Sequence, residues 1–137
     1  MERALTIDEA AHGPNHPTIA IRLNNLALVL QDLGQPNKAK PLLERAITID
    51  EATRSPNHPV TALRLNNLAL VLQDLGQLNA AKPLLERALT IHEATHSPNH
   101  PQSALYLNNL AGLLQDLGQL DEAEILLERA RRIREAQ

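Results

Sequence analysis

The segment "RLNNLALVLQDLGQ" runs from Arg22 to Gln35, recurs unchanged from Arg64 to Gln77, and returns as "YLNNLAGLLQDLGQ" from Tyr106 to Gln119, each copy 42 residues after the last. Over the whole period, Thr18–Pro59 and Val60–Pro101 differ at only eight of 42 positions. A unit of this size repeated in register cannot bury its apolar face alone, so it stacks on copies of itself. The chain therefore reads as one repeat domain: a partial unit over 1–17, full units over 18–59 and 60–101, and a last unit over 102–137.

In the second unit Leu65, Leu68, Ala69, Leu72 and Leu75 fall at i, i+3, i+4, i+7 and i+10, the spacing of one helical face. Gly76 follows, where a left-handed residue would close the helix. Ala81, Leu84, Leu85, Ala88 and Ile91 mark a second stripe. Asn79, like Asn37 one unit earlier, is the expected N-cap. So short a turn makes the two helices antiparallel neighbours. Pro41 and Pro83 then stand four positions inside their helices, each removing about one backbone bond. The linker "SPNHP" at Ser55–Pro59 and Ser97–Pro101, with "GPNHP" at Gly13–Pro17, ends one unit and starts the next. Seven helices are predicted, at about 2–12, 17–33, 37–54, 59–75, 79–96, 101–117 and 121–136.

Composition agrees with helices and removes several function classes. The apolar content is Leu, Ile, Val and Ala, with Tyr106 as the only aromatic among Phe, Trp and Tyr. With 13 basic against 16 acidic residues and no long run of either sign, no footprint for nucleic acid or a membrane surface is present. The absence of cysteine excludes disulfides and thiolate chemistry. No segment approaches the ~20 apolar residues of a membrane-spanning helix, and "MERALTIDEA" lacks the apolar core of a secretory signal. A soluble, cytoplasmic protein is expected.

The pattern "LNNLALVLQDLGQLNAAKPLLERALTIHEATHSPNHP" at Leu65–Pro101 resembles the 42-residue tetratricopeptide variety found in kinesin light chains and many bacterial repeat proteins. The resemblance rests on Leu68 with Ala69, Gly76 at the turn, Ala81 and Ala88 at close helix contacts, "ERAL" at Glu86–Leu89, and the Asn-His-Pro linker. It covers essentially the whole chain. It implies an all-α, right-handed α-solenoid of antiparallel helix pairs whose first helices line a concave groove. Family members commonly carry aromatics where this chain has Pro36, Leu78 or Leu120, and Leu43, Leu85 or Leu127, so aliphatic packing is expected there. The first helix begins at Glu2, equivalent to Glu44 and Glu86, whereas Arg131 stands where Ile47 and Leu89 stand. The chain thus reads as cut from a longer array or assembled from array modules. Its uncovered N-terminal helix is a candidate for self-association.

The implied groove face carries Leu63, Asn66, Asn67, Leu70, Gln73 and Asp74 in the second unit. The same line reads Asn24, Asn25, Leu28, Gln31 and Asp32 in the first, and Asn108, Asn109, Gly112, Gln115 and Asp116 in the third. Asparagine offers two donors and an acceptor, so a ladder of them can pair with the backbone of an extended peptide whatever its sequence. The plainer alternative is that these amides are the wet side of a helix, or that one per unit bonds a neighbouring helix. Gly112 replaces Leu28 and Leu70 and reads as a notch for a bulky ligand side chain, and Tyr106, replacing Arg22 and Arg64, as a stacking residue. Asp32, Asp74 and Asp116 sit where the helix macrodipole disfavours negative charge, and a Lys or Arg from an adjacent helix is the expected partner.

His92 and His96 are four apart, with His100 following, a spacing that admits a metal. Yet no cysteine completes a set, and His16, His58 and His100 recur within "NHP" as linker residues, so no metal is predicted. Without a phosphate loop or a carboxylate pair in a pocket, neither a catalytic function nor a cofactor is expected. Two readings remain: a protein-interaction scaffold that binds a peptide in its groove, and a structural or self-assembling repeat module with no external ligand.

Overall fold

Two short signals set most of the helix boundaries among the described residues. In a computed structural model describing residues 16–97 and 99–137, the helices are α1 (Pro17–Asp32), α2 (Pro36–Thr53), α3 (Pro59–Asp74), α4 (Leu78–Thr95), α5 (Pro101–Asp116) and α6 (Leu120–Glu135). The first signal is His-Pro. His16, His58 and His100 are the N-caps of α1, α3 and α5, each ring Nδ1 accepting from the backbone N–H two residues on at 3.1 Å. Proline follows at the first helical position, where its missing N–H costs nothing. The linker role expected of these histidines is therefore an N-cap made by an imidazole.

The second signal is Leu-Gly-Gln. Gly76 adopts φ 76°, and the Gln77 N–H donates to Leu72 O at 2.8 Å, closing α3 in a Schellman turn. The next helix then starts at once, with Gln77 as the N-cap residue and no side-chain cap bond. The caps expected at Asn37 and Asn79 are not used, since both asparagines already lie inside α2 and α4. Pro41 and Pro83 accordingly sit two positions deeper than expected, within the helices.

All six predicted helices within the described residues occur, with ends shifted by a residue or so. The helix expected at 2–12, and the self-association face it would offer, lie outside the described residues. Consecutive helices pack on each other throughout, as α1 on α2, α2 on α3 and onward to α6. The result is a single layer-by-layer solenoid, without strands among the described residues.

Its core explains how a chain with one aromatic residue packs tightly. Ala27, Ala69 and Ala111, with Ala46, Ala88 and Ala130, are fully buried. So small a side chain lets helix axes approach closely, and Leu43, Leu65, Leu85 and Leu107 fill the space between them. Each such leucine contributes roughly 1.5–3 kcal/mol on burial. In α6 the apolar stripe narrows to Ala123, Ala130 and Ile133. Arg131 is exposed there and pairs within its own helix, with Glu128 and Glu135.

Candidate functional site

Polar side chains join each repeat to the next at a fixed offset. On the first-helix layer Asn67 Nδ2 donates to Asn24 Oδ1 at 3.0 Å, and Asn109 Nδ2 to Asn66 Oδ1 at 2.9 Å. Gln31 Nε2 donates to Asp74 Oδ2 at 3.1 Å, and Gln73 Nε2 to Asp116 Oδ2 at 3.0 Å. On the second-helix layer the bridging side chains are long: Arg87 Nη2 reaches Glu51 Oε2 at 2.9 Å, and Arg129 pairs with Glu93. Lys40 and Lys82 donate to Gln77 and Gln119 in the turns.

The side-chain lengths report curvature. A direct Asn–Asn bond spans a short gap between first helices, whereas an Arg–Glu pair spans a wide one between second helices. A stack spaced more closely on one layer bends toward it, which makes the first helices the concave side.

Along that side the sequence face resolves into rows. Ile21, Leu63 and Leu105, one per repeat, are 42%, 39% and 47% exposed. One turn on lies the asparagine row, in which Asn24 and Asn66 are buried and Asn25, Asn67, Asn108 and Asn109 half-buried. Half-buried Leu28, Leu70 and Gly112 form the next row, then Gln31 and Gln73, half-buried, with Gln115 exposed. A side chain placed at Gly112 would meet nothing within 4 Å, so the third repeat opens a gap where the other two carry leucine. Apolar and amide rows thus alternate at about 5–6 Å along each helix. Ile21 and Leu105 escaped the sequence reading, although the same 42-residue period marks them.

The asparagine ladder is only half consumed by its own bonds. Each bridge uses one donor hydrogen and one oxygen, leaving the amide hydrogens of Asn24 and Asn66 and the oxygens of Asn67 and Asn109. None of these atoms is sealed from solvent without a partner, since Thr61 Oγ1 is the orphaned buried polar atom among the described residues. The aspartates correct an expectation. Asp74 and Asp116 are met by neutral glutamine amides and not by Lys or Arg, because the lysines of α2 and α4 reach the turn glutamines instead.

Behind the groove the two junctions differ in chemistry. In the first, Asp50 Oδ2 accepts from Arg64 Nε at 3.1 Å, and Asp50 Oδ1 from Arg54 Nε at 3.4 Å. Burial lowers the Arg64 pKa, and the Asp50 carboxylate opposes that shift. In the second junction the equivalent residues are His92, His96 and Tyr106. His92 Nε2 and Ser103 Oγ share a hydrogen bond of 2.8 Å. The His92 ring stacks on His96 at 4.2 Å between centroids and lies 4.9 Å from the Tyr106 ring. Burial lowers the His92 pKa, and the neighbouring His96 and His100 lower it further, against the pull of Glu93. Burial likewise raises the Tyr106 pKa. Tyr106 is 2% exposed, so its ring face is not presented to the groove as a stacking platform.

The histidines spend their nitrogens on one another's surroundings. His96 Nδ1 lies 3.1 Å from His92 O, and His100 Nδ1 accepts from the Gln102 N–H at 3.1 Å. Among the described residues, no three His, Asp or Glu side chains are placed to hold a metal ion. No helix of these residues is long and apolar enough to cross a membrane.

Known proteins share this architecture. A family model described as tetratricopeptide repeat matches residues 1–52, 22–82 and 60–136. The crystal structure of BtubC (BKLC) from P. vanneervenii superposes on 98% of this chain with a TM-score of 0.88 at 26% identity, the chain covering 54% of that one. A putative kinesin light chain from Podosopora anserina, with nearly identical TPR-like repeats, superposes on 86% with a TM-score of 0.78 at 33% identity, 56% of its own length being covered. The chain therefore spans a little over half the length of each. No curated protein matches it by sequence.

Proposed function

This chain belongs to the tetratricopeptide repeat family, and we propose that its concave face binds an extended peptide segment of another protein, making it a non-catalytic interaction scaffold. One observation carries the reading: an exposed and a half-buried aliphatic row alternate with amide rows that keep unused donors and acceptors, repeat after repeat. An extended peptide needs that combination, since its backbone seeks amide partners while its side chains seek apolar contact. The residues assigned to it are Asn24, Asn25, Leu28, Gln31, Asn66, Asn67, Leu70, Gln73, Asn108, Asn109, Gly112 and Gln115, joined by Ile21, Leu63 and Leu105 from the outer row.

The competing reading, a structural module without a ligand, draws on the Asn–Asn bridges that tie repeat to repeat. Leu63 and Leu105 separate the two, because they are exposed and belong to no bridge. Random peptides displayed on phage and selected against the wild type should enrich sequences that L63D/L105D no longer retains, while the variant melts within about 2 °C of wild type. Selected peptides that bind the variant equally well, or no enrichment at all, would refute groove binding.

A further inference from the structure

Along α6 one stripe stands open to solvent. Leu120, Glu124, Leu127, Arg131 and Arg134 fall at i, i+4, i+7, i+11 and i+14, on one side of the helix. In α2 and α4 the equivalent stripe is roofed by the following first helix, so that Leu43 and Leu85 are fully buried and Ile47 and Leu89 nearly so. In α6 Leu127 is only half-buried and the other four are exposed. We propose that this stripe pairs with the same stripe of a second copy of the chain, forming a two-fold symmetric dimer through antiparallel α6 helices.

The stripe is not a copy of the one that a following repeat covers. Glu124 stands where Lys40 and Lys82 stand, and Arg131 where Ile47 and Leu89 stand. What results is complementary to itself. Asp121, Glu122 and Glu124 occupy the first half of α6, and Arg131, Arg132 and Arg134 the second. Two such helices laid parallel oppose like charges along their length, whereas laid antiparallel they oppose unlike ones. With the two-fold axis at Leu127, that leucine meets its own counterpart and Glu124 meets the partner's Arg131. Leu120 is then covered by the aliphatic stem of the partner's Arg134.

The charged groups are available for this pairing. Glu124 and Arg134 have no ion-pair partner among the described residues. Arg131 spends three of its five N–H donors on Glu128 and Glu135 of its own helix, which leaves two for an incoming carboxylate. The interface is small, since a pair of 16-residue helices buries less than the ~1,200 Å² of a stable complex. Its dissociation constant is accordingly on the order of 100 µM and sensitive to salt. The stripe belongs to the second-helix layer, so the dimer neither needs nor blocks a peptide on the concave face.

Sedimentation equilibrium of the intact chain, from about 20 µM to about 1 mM, tests the pairing. Wild type should show a reversible monomer–dimer equilibrium that weakens about threefold to tenfold when sodium chloride is raised from about 20 mM to about 500 mM. E124R breaks no bond within the chain and places arginine opposite arginine, so it should weaken the dimer at least about tenfold with the helical circular dichroism intact. R131E, which places glutamate opposite glutamate, should do the same. The double variant E124R/R131E exchanges the two charges and should return to within about threefold of wild type. An equimolar mixture of E124R and R131E should form a heterodimer about tenfold tighter than either homodimer, a result that damage to α6 in one variant cannot produce. A wild type that stays monomeric to about 1 mM would overturn the proposal. So would a dimer that E124R leaves unchanged, or a mixture that shows no preference for the heterodimer.

Discussion

Nature has already exchanged one junction chemistry for the other within this chain, and repeating the exchange by mutation tests how the repeats hold together. Asp50 is fully buried and Arg64 is 8% exposed. Replacing Asp50 alone by histidine strands the Arg64 guanidinium, and replacing Arg64 alone by tyrosine leaves the carboxylate with only the longer Arg54 bond of 3.4 Å. Breaking one side of a buried pair costs about 3–5 kcal/mol. The remaining access of Arg64 and Arg54 to solvent puts D50H and R64Y near the lower figure, about 3 kcal/mol each. The triple variant T61S/D50H/R64Y instead installs the arrangement that His92, Ser103 and Tyr106 already form, with serine placed to bond the new imidazole. The new imidazole also gives a partner to the hydroxyl at position 61, which is orphaned in the wild type. Both charges leave the interior together, so the triple should lie within about 1 kcal/mol of wild type, because a buried ion pair is readily matched by a well-packed neutral substitute. Urea unfolding followed by circular dichroism at pH 7.5 measures each variant, and an unchanged m-value confirms that the same cooperative unit unfolds. At this chain length each single variant should lose roughly 10 °C in melting temperature. A triple variant as unstable as the sum of its parts would refute the idea that the two junctions are interchangeable solutions.

Two further predictions concern stability. Because burial and its neighbours lower the His92 pKa, the unfolded chain binds the proton more readily than the folded one, so stability should be complete above about pH 6.5 and fall as pH drops below it; thermal melts at pH 7.5 and 5.0 should show this loss in wild type and a smaller one in H92N. The glycines Gly76 and Gly112 both face open space, yet G76A should cost about 1 kcal/mol at its φ of 76° while G112A, inside α5, should gain about 0.5–1 kcal/mol, and urea midpoints that move in the same direction for both would contradict the assignment.

Helix placement was legible because its signals are local. A face such as Leu65, Leu68, Ala69 and Leu72 declares its period within about two turns, and Gly76 declares its stop. The caps were misplaced for an equally local reason. Asn79 has the preferred N-cap side chain, but Gln77 holds the position, since the Schellman turn at Leu72–Gln77 delivers the backbone straight into the next helix. A strong propensity gave way to the geometry of the preceding turn. The groove face was readable from the first-helix period, although the number of its amides engaged between repeats was not.

That engagement was hidden by the likeness of the copies. The bridges run from Asn24 to Asn67 and from Gln31 to Asp74, an offset one greater than the repeat, so each residue meets the neighbour of its own counterpart. Where every unit carries the same Asn-Asn and Gln-Asp pairs, no variation reveals which member touches which. Only where the units diverge does the sequence disclose a contact. Asp50, Arg54, Thr61 and Arg64 become His92, His96, Ser103 and Tyr106, four changes spread over fifteen positions that together replace charge by neutral rings. Taken one at a time they suggest a metal pair and a stacking tyrosine; taken as a set, the joint loss of an acid and its two bases marks one buried junction.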